Sequence, residues 1–353
     1  MDLLVDAAVA AAGAAGAIPA AAVAVGLAAV VAAPVLVAAA LNSTKRLEVR
    51  GKHVLVTGGS KGLGKALAAE LAVRHGAHVT VVARGQRDLD EAVAEINAAA
   101  AEHKRGGKAQ GLSCDVTDAE SVAACVKRAE DALGPVEWVV ACAGGALTGR
   151  FLDTPLSGFE AQMRLNYLGS VAPALVVARN MAQREQRGGR IVLVASQAAL
   201  MGCVGYAAYS PTKFAVRGLG ESLRHELLPY GIRVHVAFPG NMKTPGYEHE
   251  QRTKPEETKR LEEGEPLQTP EDVARATIDS IRKGEFALYG GNLSGFALGR
   301  ASAGIAPRST LLLDVMLAPL LVVIMWFHRA FVLDRVVKSK PKPDPRPPAQ
   351  QER

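Results

Sequence analysis

A tyrosine and a lysine four residues apart, Tyr209 and Lys213, have the clearest capacity for chemistry in this sequence. On a helix, this spacing places both side chains on one face. A phenol has a pKa of about 10, and a nearby ammonium stabilises the phenolate and lowers that pKa. Ser196 follows an apolar segment thirteen residues before Tyr209, where its hydroxyl could hold a carbonyl oxygen. The three residues predict acid–base chemistry at a carbonyl or alcohol oxygen.

A glycine-rich turn follows the first predicted strand and precedes a helix. Its glycines are spaced G-x-x-x-G-x-G, which permits a tight turn and a close approach of the backbone to a pyrophosphate. The N-terminus of the following helix supplies amide donors and a favourable dipole for that anion. The turn predicts a dinucleotide site with contacts from Gly58, Ser60, Lys61, Gly62, Leu63 and Gly64.

The charge at the end of the second predicted strand indicates which dinucleotide binds. NAD-binding proteins commonly place an acid there for the ribose 2′-hydroxyl, whereas an Arg pairs with the 2′-phosphate of NADP. The strand here ends at Arg84, and Lys61 in the glycine-rich turn could reach the same phosphate. Two cations would hold a phosphate that a carboxylate would repel. The sequence therefore predicts NADPH rather than NADH as the cofactor.

Two residues after the third predicted strand, Asp115 and Val116, are predicted to contact the adenine end of the cofactor. The Asp115 carboxylate could accept a hydrogen bond from the adenine amino group. Its alternative role is to cap the helix that is predicted to start near Thr117.

Short apolar segments alternate with amphipathic helical patterns from about residue 52 to residue 289. Apolar strands separated by helices are typical of a parallel sheet that is covered on both faces. The sequence therefore predicts an α/β fold with a single Rossmann-like, doubly wound, seven-stranded parallel sheet and helices on both faces. The predicted strands are His53–Thr57, His78–Ala83, Ala109–Cys114, Trp138–Cys142, Arg190–Ala195, Arg233–Phe238 and Phe286–Tyr289.

The composition argues against several function classes. Apolar residues make up 49% of the chain and supply a sizeable core, and a net charge of +6 is modest for 353 residues. The basic residues are not interleaved with aromatic residues, so we expect no nucleic-acid partner. The four cysteines form no CxxC pair and the histidines have no metal-ligand spacing, so we expect neither metal nor disulfide.

Apolar segments at both ends predict contact with a membrane. The stretch 7–41 carries no charged residue and exceeds the roughly 20 residues that a spanning helix needs; the alternative is an Ala-rich leader that does not insert. Positive charge follows at Lys45 and Arg46, which by the positive-inside tendency places the next domain in the cytosol. The stretch 311–327 is short and contains Asp314, which favours a re-entrant or interfacial helix over a single crossing.

These patterns divide the chain into four predicted parts. A membrane anchor occupies 1–44, a catalytic domain 45–299, a membrane-associated segment 300–335 and a disordered basic tail 336–353. Within the catalytic domain, the polar stretch 241–270 follows a strand and contains several prolines. A long insertion at this place predicts a lid over the substrate, and the alternative is a merely solvated loop.

Taken together, the motifs resemble the short-chain dehydrogenase/reductase family over roughly 52–289. The resemblance implies a catalytic tetrad of Asn166, Ser196, Tyr209 and Lys213. The family usually carries Asn-Asn-Ala-Gly after its fourth strand, whereas this chain has Ala-Cys-Ala-Gly at 141–144, so both Asn side chains are missing beside the nicotinamide ribose. The resemblance also implies cofactor contacts at Ala143, Gly144, Tyr209, Lys213, Pro239, Gly240 and Thr244.

A narrower resemblance is to the membrane-bound branch of this family that reduces long-chain sphingoid ketones in sphingolipid synthesis. It rests on the active-site helix at 209–219 and on the stretch from Thr244 to Thr258. It implies that NADPH reduces a C3 ketone, with Tyr209 as proton donor, Ser196 positioning the oxygen and Lys213 binding the nicotinamide ribose. Asn166 would anchor a water that resupplies protons.

The same resemblance implies the setting of the enzyme. Its partners would be a long-chain sphingoid ketone and membrane lipid, and its location would be the endoplasmic reticulum membrane with the catalytic domain facing the cytosol. A homodimer through the helices that carry Asn166 and Tyr209 is a family expectation. Two alternatives are a microsomal retinol or hydroxysteroid dehydrogenase with the same anchor and tetrad, and a catalytically silent NADP-binding scaffold at a membrane.

Overall fold

A sheet of seven strands forms the centre of the protein in the computed structural model, which describes residues 46–185, 187–265 and 267–302, together with Leu321 and Ile324. The strands are short and rich in Val, because β-branched side chains pack well on a pleated surface that is buried on both faces. They are β1 (His53–Thr57), β2 (His78–Ala83), β3 (Lys108–Ser113), β4 (Trp138–Ala141), β5 (Arg190–Val194), β6 (Arg233–Ala237) and β7 (Ala287–Leu288).

Helices connect consecutive strands. The α-helices are α1 (Gly62–Ala69), α2 (Gln86–His103), α3 (Ala119–Leu133), α4 (Leu156–Gln162), α5 (Gly169–Gln183), α6 (Ser210–Glu226), α7 (Pro245–Thr253), α8 (Glu256–Leu261), α9 (Pro270–Arg282) and α10 (Leu293–Ala301). A π-helical turn, Glu70–Arg74, extends α1, and a second one, Met163–Leu168, joins α4 to α5. Short 3₁₀ turns lie at Phe151–Asp153, Gln197–Ala199 and Leu228–Tyr230.

All neighbouring strands pair in parallel, in the order β3-β2-β1-β4-β5-β6-β7. Strands β2 and β3 therefore follow β1 towards one edge of the sheet. The chain then crosses back to β4, on the other side of β1, and β5 to β7 follow towards the opposite edge. Between β1 and β4 the connections diverge to opposite sides, which opens a crevice at the carboxyl ends of these two strands. The predicted Rossmann-like α/β fold is confirmed, and the crevice is where such a fold binds its ligands.

Two hydrophobic cores lie on the two faces of the sheet, because successive strand residues point to opposite sides. In β4, Val139 and Ala141 belong to one core with α3, α5 and α6. Trp138 and Val140 belong to the other core with α1, α2 and α9. Both faces are covered, so the strands are positioned rigidly and their carboxyl ends form a fixed platform.

The predicted strand ends differ from the observed ones by a residue or two. The third strand begins and ends one residue earlier than predicted, and the last is reduced from Phe286–Tyr289 to Ala287–Leu288. This last strand lies at the edge of the sheet and pairs only through Val236 and Ala237. Apolar character marks a strand, but the end of its hydrogen-bonded ladder depends on a partner distant in sequence.

The predicted membrane segments mostly fall beyond what the structure describes. The anchor at 1–44, the tail at 336–353 and all of 300–335 except 300–302, Leu321 and Ile324 lie outside the described residues. Among the residues that are described, none of the helices combines the length and the apolar character needed to cross a bilayer.

Candidate active site

Tyr209, Lys213 and Ser196 meet at the carboxyl end of β5. Tyr209 immediately precedes α6, and Lys213 lies one turn further along that helix. The Lys213 ammonium nitrogen lies 5.7 Å from the centre of the Tyr209 ring and donates to the carbonyl oxygen of Val194 at 3.0 Å. Ser196 follows β5, accepts a hydrogen bond from the amide of Ala198 at 3.2 Å and also hydrogen-bonds to Tyr209.

Burial sets the protonation of this group. It raises the pKa of the Tyr209 phenol, an effect that the hydrogen bond with Ser196 opposes and that the nearby groups of Glu250 and Cys142 reinforce. Burial also lowers the pKa of Lys213 to about 8. This differs from the expectation that Lys213 would hold the phenol below its ordinary pKa, because removal from water outweighs the cation. The phenol is therefore protonated at neutral pH and suited to donate a proton.

Asn166 lies in the π-helical turn Met163–Leu168, a type of distortion that often marks functional sites. Its side chain is completely buried. The amide nitrogen shares its two protons among three acceptors, the carbonyl oxygen of Gly145 at 3.0 Å, Gln162 at 3.2 Å and the hydroxyl of Thr212 at 3.1 Å. The amide oxygen accepts from the backbone nitrogen of Gly145 at 3.0 Å. Asn166 thus ties the loop after β4 to the helix that bears Lys213.

The glycine-rich turn is built for a close backbone approach. Gly58 has a φ of +65°, and a Cβ atom there would lie 2.7 Å from the Cα atom of Ala143. A Cβ atom on Gly64 would overlap the carbonyl oxygen of Gly58. Only glycine fits these two positions, and the narrow space holds the turn against the end of β4.

The start of α1 is open for an anion. Lys61 occupies the N-cap position but makes no side-chain capping bond, and the first turn contains no acidic residue. Amide groups at a helix N-terminus carry partial positive charge and need acceptors. The described residues around this turn therefore fit a pyrophosphate.

The ends of β1 and β4 are joined directly beside that turn. The hydroxyl oxygen of Thr57 accepts hydrogen bonds from the backbone nitrogens of Cys142 and Ala143, each at 3.1 Å. The Thr57 side chain thus links the carboxyl ends of β1 and β4 at the base of the crevice, where the strand order reverses. Sequence reasoning did not single out Thr57, although a hydroxyl residue directly before a glycine-rich turn was a usable signal.

Comparisons with known proteins agree with this geometry. Residues 52–255 match the family described as short chain dehydrogenase. A 3-dehydrosphinganine reductase of Danio rerio is 41% identical over 272 residues, which cover 77% of this chain and 80% of that protein. A 3-ketodihydrosphingosine reductase of Bos taurus is 42% identical over 275 residues, with the same two coverages. The chain belongs to the short-chain dehydrogenase/reductase family.

Solved structures of this family share the fold. A dehydrogenase/reductase from Sinorhizobium meliloti is 26% identical, with a TM-score of 0.60, and the match covers 71% of this chain and 98% of that one. A variant actinorhodin polyketide ketoreductase solved with NADPH is also 26% identical, with a TM-score of 0.58 and coverages of 68% and 96%. This short-chain dehydrogenase/reductase is accordingly an oxidoreductase.

Cys142 takes the place of an Asn that most family members carry after the fourth strand. Its thiol is partly buried, and burial raises its pKa to about 11, opposed by the charge of Lys213. The thiol is therefore neutral at physiological pH. It influences both Tyr209 and Lys213 electrostatically, so a thiol borders the tetrad where the family usually has an amide.

Arg84 and Lys61, the two cations expected to favour NADPH over NADH, have different surroundings. Arg84 is exposed at the end of β2. Lys61 forms an ion pair of 2.7 Å with Asp88, in the first turn of α2. Arg84 and not an acid follows β2, as the sequence showed, but the start of α2 places the carboxylate of Asp88 beside Lys61. Its place in the first helical turn after β2 was the signal that sequence reasoning missed.

Predicted contacts at the adenine end are only partly accessible. The Asp115 carboxylate accepts from the backbone nitrogen and the hydroxyl of Thr117 at 2.9 and 2.8 Å, while Asp118 is the residue that caps α3. The helix-capping alternative for Asp115 is therefore wrong. The side chains of Val116 and Leu63 are buried in the two cores, which leaves their backbone groups for the predicted cofactor contacts.

Residues after β6 contact both the turn that follows Ser196 and the glycine-rich turn. The carbonyl oxygen of Pro239 accepts from the backbone nitrogen of Gln197 at 3.0 Å. A Cβ atom on Gly240 would lie 2.9 Å from the side-chain nitrogen of Gln197, and one on Gly62 would lie 3.3 Å from the methyl group of Thr244. The structure thus brings together residues that are far apart in sequence and that were predicted to contact the cofactor.

The stretch 241–270 contains α7 and α8 and is attached to the rest of the domain by buried polar contacts. The Thr148 hydroxyl donates to the carbonyl oxygen of Glu250 at 3.1 Å, and Arg150 pairs with Glu257 at 2.8 Å. The Thr258 hydroxyl donates to the carbonyl oxygen of Val204 at 2.8 Å. Buried groups of this kind are not expected of a merely solvated loop, and the role of the stretch as a lid stays a prediction.

A buried cluster of charged and aromatic side chains lies where this stretch meets the tetrad. Lys254 is 2.7 Å from Glu262 and 3.9 Å from Glu250, and its nitrogen lies 5.5 Å from the ring centre of Tyr206. The Tyr206 ring is 5.8 Å from that of Tyr209. Sequence reasoning treated 253–258 only as a family motif and missed its chemical content.

Proposed function

We propose that this protein reduces the C3 ketone of 3-ketodihydrosphingosine to dihydrosphingosine, with NADPH as the hydride donor. The observation that carries the proposal is the meeting of Ser196, Tyr209 and Lys213 beside the glycine-rich turn, in a chain 41–42% identical to reductases named for this substrate. An acid–base pair beside a dinucleotide crevice fits hydride transfer to a carbonyl.

The described residues fit a nicotinamide dinucleotide. The uncapped start of α1 and the glycines at 58, 62 and 64 would hold the pyrophosphate. Arg84 would pair with the 2′-phosphate, and Pro239, Gly240 and Thr244 would border the nicotinamide. The bound cofactor supplies the hydride. The preference for NADPH rests on Arg84 more than on Lys61, whose charge is shared with Asp88.

The side chains divide the work on the substrate carbonyl. Tyr209 donates its proton to the ketone oxygen as the carbonyl carbon gains a hydride, so that an alcohol results. Ser196 donates a hydrogen bond to the same oxygen and holds it beside the phenol. The Lys213 ammonium stabilises the phenolate that remains after proton transfer. The raised pKa of Tyr209 keeps its phenol protonated before the reaction.

Asn166 positions the other residues and completes a path for reprotonation. Its side-chain amide is engaged with Gly145, Gln162 and Thr212. A water that resupplies the proton would therefore meet its backbone carbonyl, which accepts from Ser170 at 2.7 Å and has a second lone pair.

A lipid substrate would explain why both ends of the chain are apolar. We propose that the segments at 1–44 and 300–335 hold the enzyme at the endoplasmic reticulum membrane, with the catalytic domain in the cytosol, so that the crevice receives a substrate dissolved in the bilayer. A homodimer through α5 and α6 is supported by exposed apolar side chains, those of Leu175 in α5, Phe214 in α6 and Leu168 immediately before α5.

The proposal is tested in membranes that contain the full chain. Wild type should form dihydrosphingosine from 3-ketodihydrosphingosine with NADPH, and the Tyr209→Phe variant should not. The sphingoid ketone should also outcompete retinaldehyde and a ketosteroid. Preferential turnover of either competitor would support a retinol or hydroxysteroid dehydrogenase, and cofactor binding without turnover of any ketone would indicate a silent scaffold.

A further inference from the structure

The cluster around Lys254 carries more negative than positive charge. Glu250 and Glu262 face the single ammonium of Lys254, whose side chain has no exposed surface, while those of the two Glu are 20% and 16% exposed. Opposite charges that are withdrawn from water need balanced partners. One negative charge in this cluster therefore lacks a full counter-charge.

The imbalance falls on Glu250. Glu262 lies 2.7 Å from the Lys254 nitrogen and accepts a hydrogen bond of 2.8 Å from the Tyr206 hydroxyl. Glu250 is 3.9 Å from the same nitrogen. Tyr206 is also close to Glu250, but a phenol has only one proton to donate. In agreement, burial raises the pKa of Glu250 to about 7, and the charge of Lys254 only partly opposes this effect.

Glu250 lies close to the proposed proton donor. The Tyr206 ring, which neighbours this cluster, is 5.8 Å from the Tyr209 ring, and the Glu250 charge acts on the Tyr209 phenol directly. The backbone of Glu250 is fixed by the hydroxyl of Thr148 at 3.1 Å. The cluster that contains Glu250 therefore adjoins the tyrosine on which a substrate ketone would lie.

This placement matches the chemistry of the proposed substrate, on which the inference rests. A sphingoid ketone carries an amine at C2, the carbon next to the ketone. When the ketone oxygen lies on Tyr209, the ammonium lies within a few bond lengths of it and leaves water. We propose that Glu250 binds the C2 ammonium of the substrate and thereby selects 2-amino ketones over ketones without the amine.

A purely structural role for Glu250 is the competing explanation. Lys254 has a shorter ion pair with Glu262, so the buried ammonium keeps a partner when Glu250 is neutralised. Glu248 offers a matched control, because it lies on the same helix and is exposed. The two Glu→Gln changes are chemically identical and differ only in position.

The test compares two substrates on the full chain in detergent micelles. One is 3-ketodihydrosphingosine, and the other is a 1-hydroxy-3-ketone of equal chain length without the amine. Glu250→Gln should lower kcat/KM for the amino ketone by about tenfold to a hundredfold, mainly through KM, as expected for loss of a hydrogen bond to a charged group. Its kcat/KM for the amine-free ketone should change by less than about twofold, and Glu248→Gln should alter neither.

Three results would count against the inference. Equal losses on both ketones would assign Glu250 a structural role, and no loss on either would show that it does not bind the amine. A wild type that reduces neither ketone would overturn the proposed function itself, and the inference with it. As a measurement without any mutation, N-acetylation of the amino ketone should raise the wild-type KM about as much as Glu250→Gln does.

Discussion

The ammonium of Lys213 and the phenol of Tyr209 are neighbours without a direct hydrogen bond between them in the structure: the nitrogen lies 5.7 Å from the ring centre and donates to Val194 instead. The Lys213 ammonium is therefore anchored to the end of β5 and not to the phenol oxygen. Because the Val194 carbonyl ends β5 and Tyr209 immediately precedes α6, the sheet fixes the position of the ammonium relative to the proposed proton donor.

Removing the phenol hydroxyl should abolish proton donation and leave the cofactor site intact. We expect Tyr209→Phe to lower kcat by about 10²- to 10⁴-fold, the usual contribution of a general acid. NADPH binding, measured by fluorescence titration, should change little. Tyr230→Phe, at a tyrosine that is 53% exposed, is the control and should retain activity. Undiminished turnover in Tyr209→Phe would refute its role.

The loop after β4 should tolerate a methyl group at one glycine and not at its neighbour. A Cβ atom on Gly144 would lie 2.7 Å from the Asn166 amide oxygen and 3.4 Å from the Lys213 nitrogen, whereas one on Gly145 would meet nothing within 4 Å. Gly144→Ala should shift both tetrad residues and lower kcat/KM by about tenfold to a hundredfold.

Gly145→Ala serves as the matched control for this prediction. Its backbone bonds with Asn166 are retained, so we expect kcat/KM within about twofold of wild type. Steady-state kinetics and thermal unfolding of both variants would separate a local shift from general destabilisation. Equal activity of the two variants would contradict the assigned geometry.

The preference between NADPH and NADH should depend mainly on Arg84. Arg84→Ala should raise the KM for NADPH by about tenfold to a hundredfold, since hydrogen bonds to charged groups contribute roughly 1.5–3 kcal/mol. The KM for NADH, which lacks the 2′-phosphate, should stay nearly constant. Lys61→Ala should have a smaller effect, because Lys61 is paired with Asp88 at 2.7 Å.

Removing the negative charge of Asp88 should change the KM for NADPH in the opposite direction. Asp88→Asn removes a negative charge beside the proposed phosphate site and releases Lys61, so it should lower the KM for NADPH. If Arg84→Ala raised the KM for NADPH and NADH equally, Arg84 would not be the residue that binds the 2′-phosphate.

Acid should destabilise the fold through His235. This side chain is 1% exposed; its Nδ1 lies 2.6 Å from the carbonyl oxygen of Glu285, and its Nε2 lies 3.3 Å from Arg190. Burial lowers the His235 pKa to about 3, and the Glu285 carbonyl opposes this while the charges of Arg190 and Arg233 add to it.

The sign of the effect follows from proton binding. Between pH 6.5, the ordinary value for the unfolded chain, and about pH 3, the unfolded chain binds a proton that the folded chain does not. His235 thus contributes stability that is fully present above pH 6.5 and declines by about 1.4 kcal/mol per pH unit below it. Urea unfolding from pH 7.5 to 5 should show a shallower decline for His235→Gln, while the exposed His249→Gln should follow wild type.

Much of the fold follows from local sequence patterns. All seven strands begin within one residue of the predicted position, and the spacing of Tyr209 and Lys213 is a property of one helix and its first turn. Apolar segments that alternate with amphipathic helices can bury their surfaces only as a covered parallel sheet. The glycine-rich turn is equally local, since its conformation is required by neighbouring residues.

Only the tertiary structure decided which distant side chains share a site and how burial alters them. The ion pair of Lys61 with Asp88 and the contact of Asn166 with Thr212 depend on how separate helices pack. The charge imbalance at Glu250 arises because Tyr206, Lys254 and Glu262 converge from different segments. Spacing specifies which groups can meet on one helix, but desolvation and long-range charge, which set the pKa of Tyr209, exist only once the chain has folded.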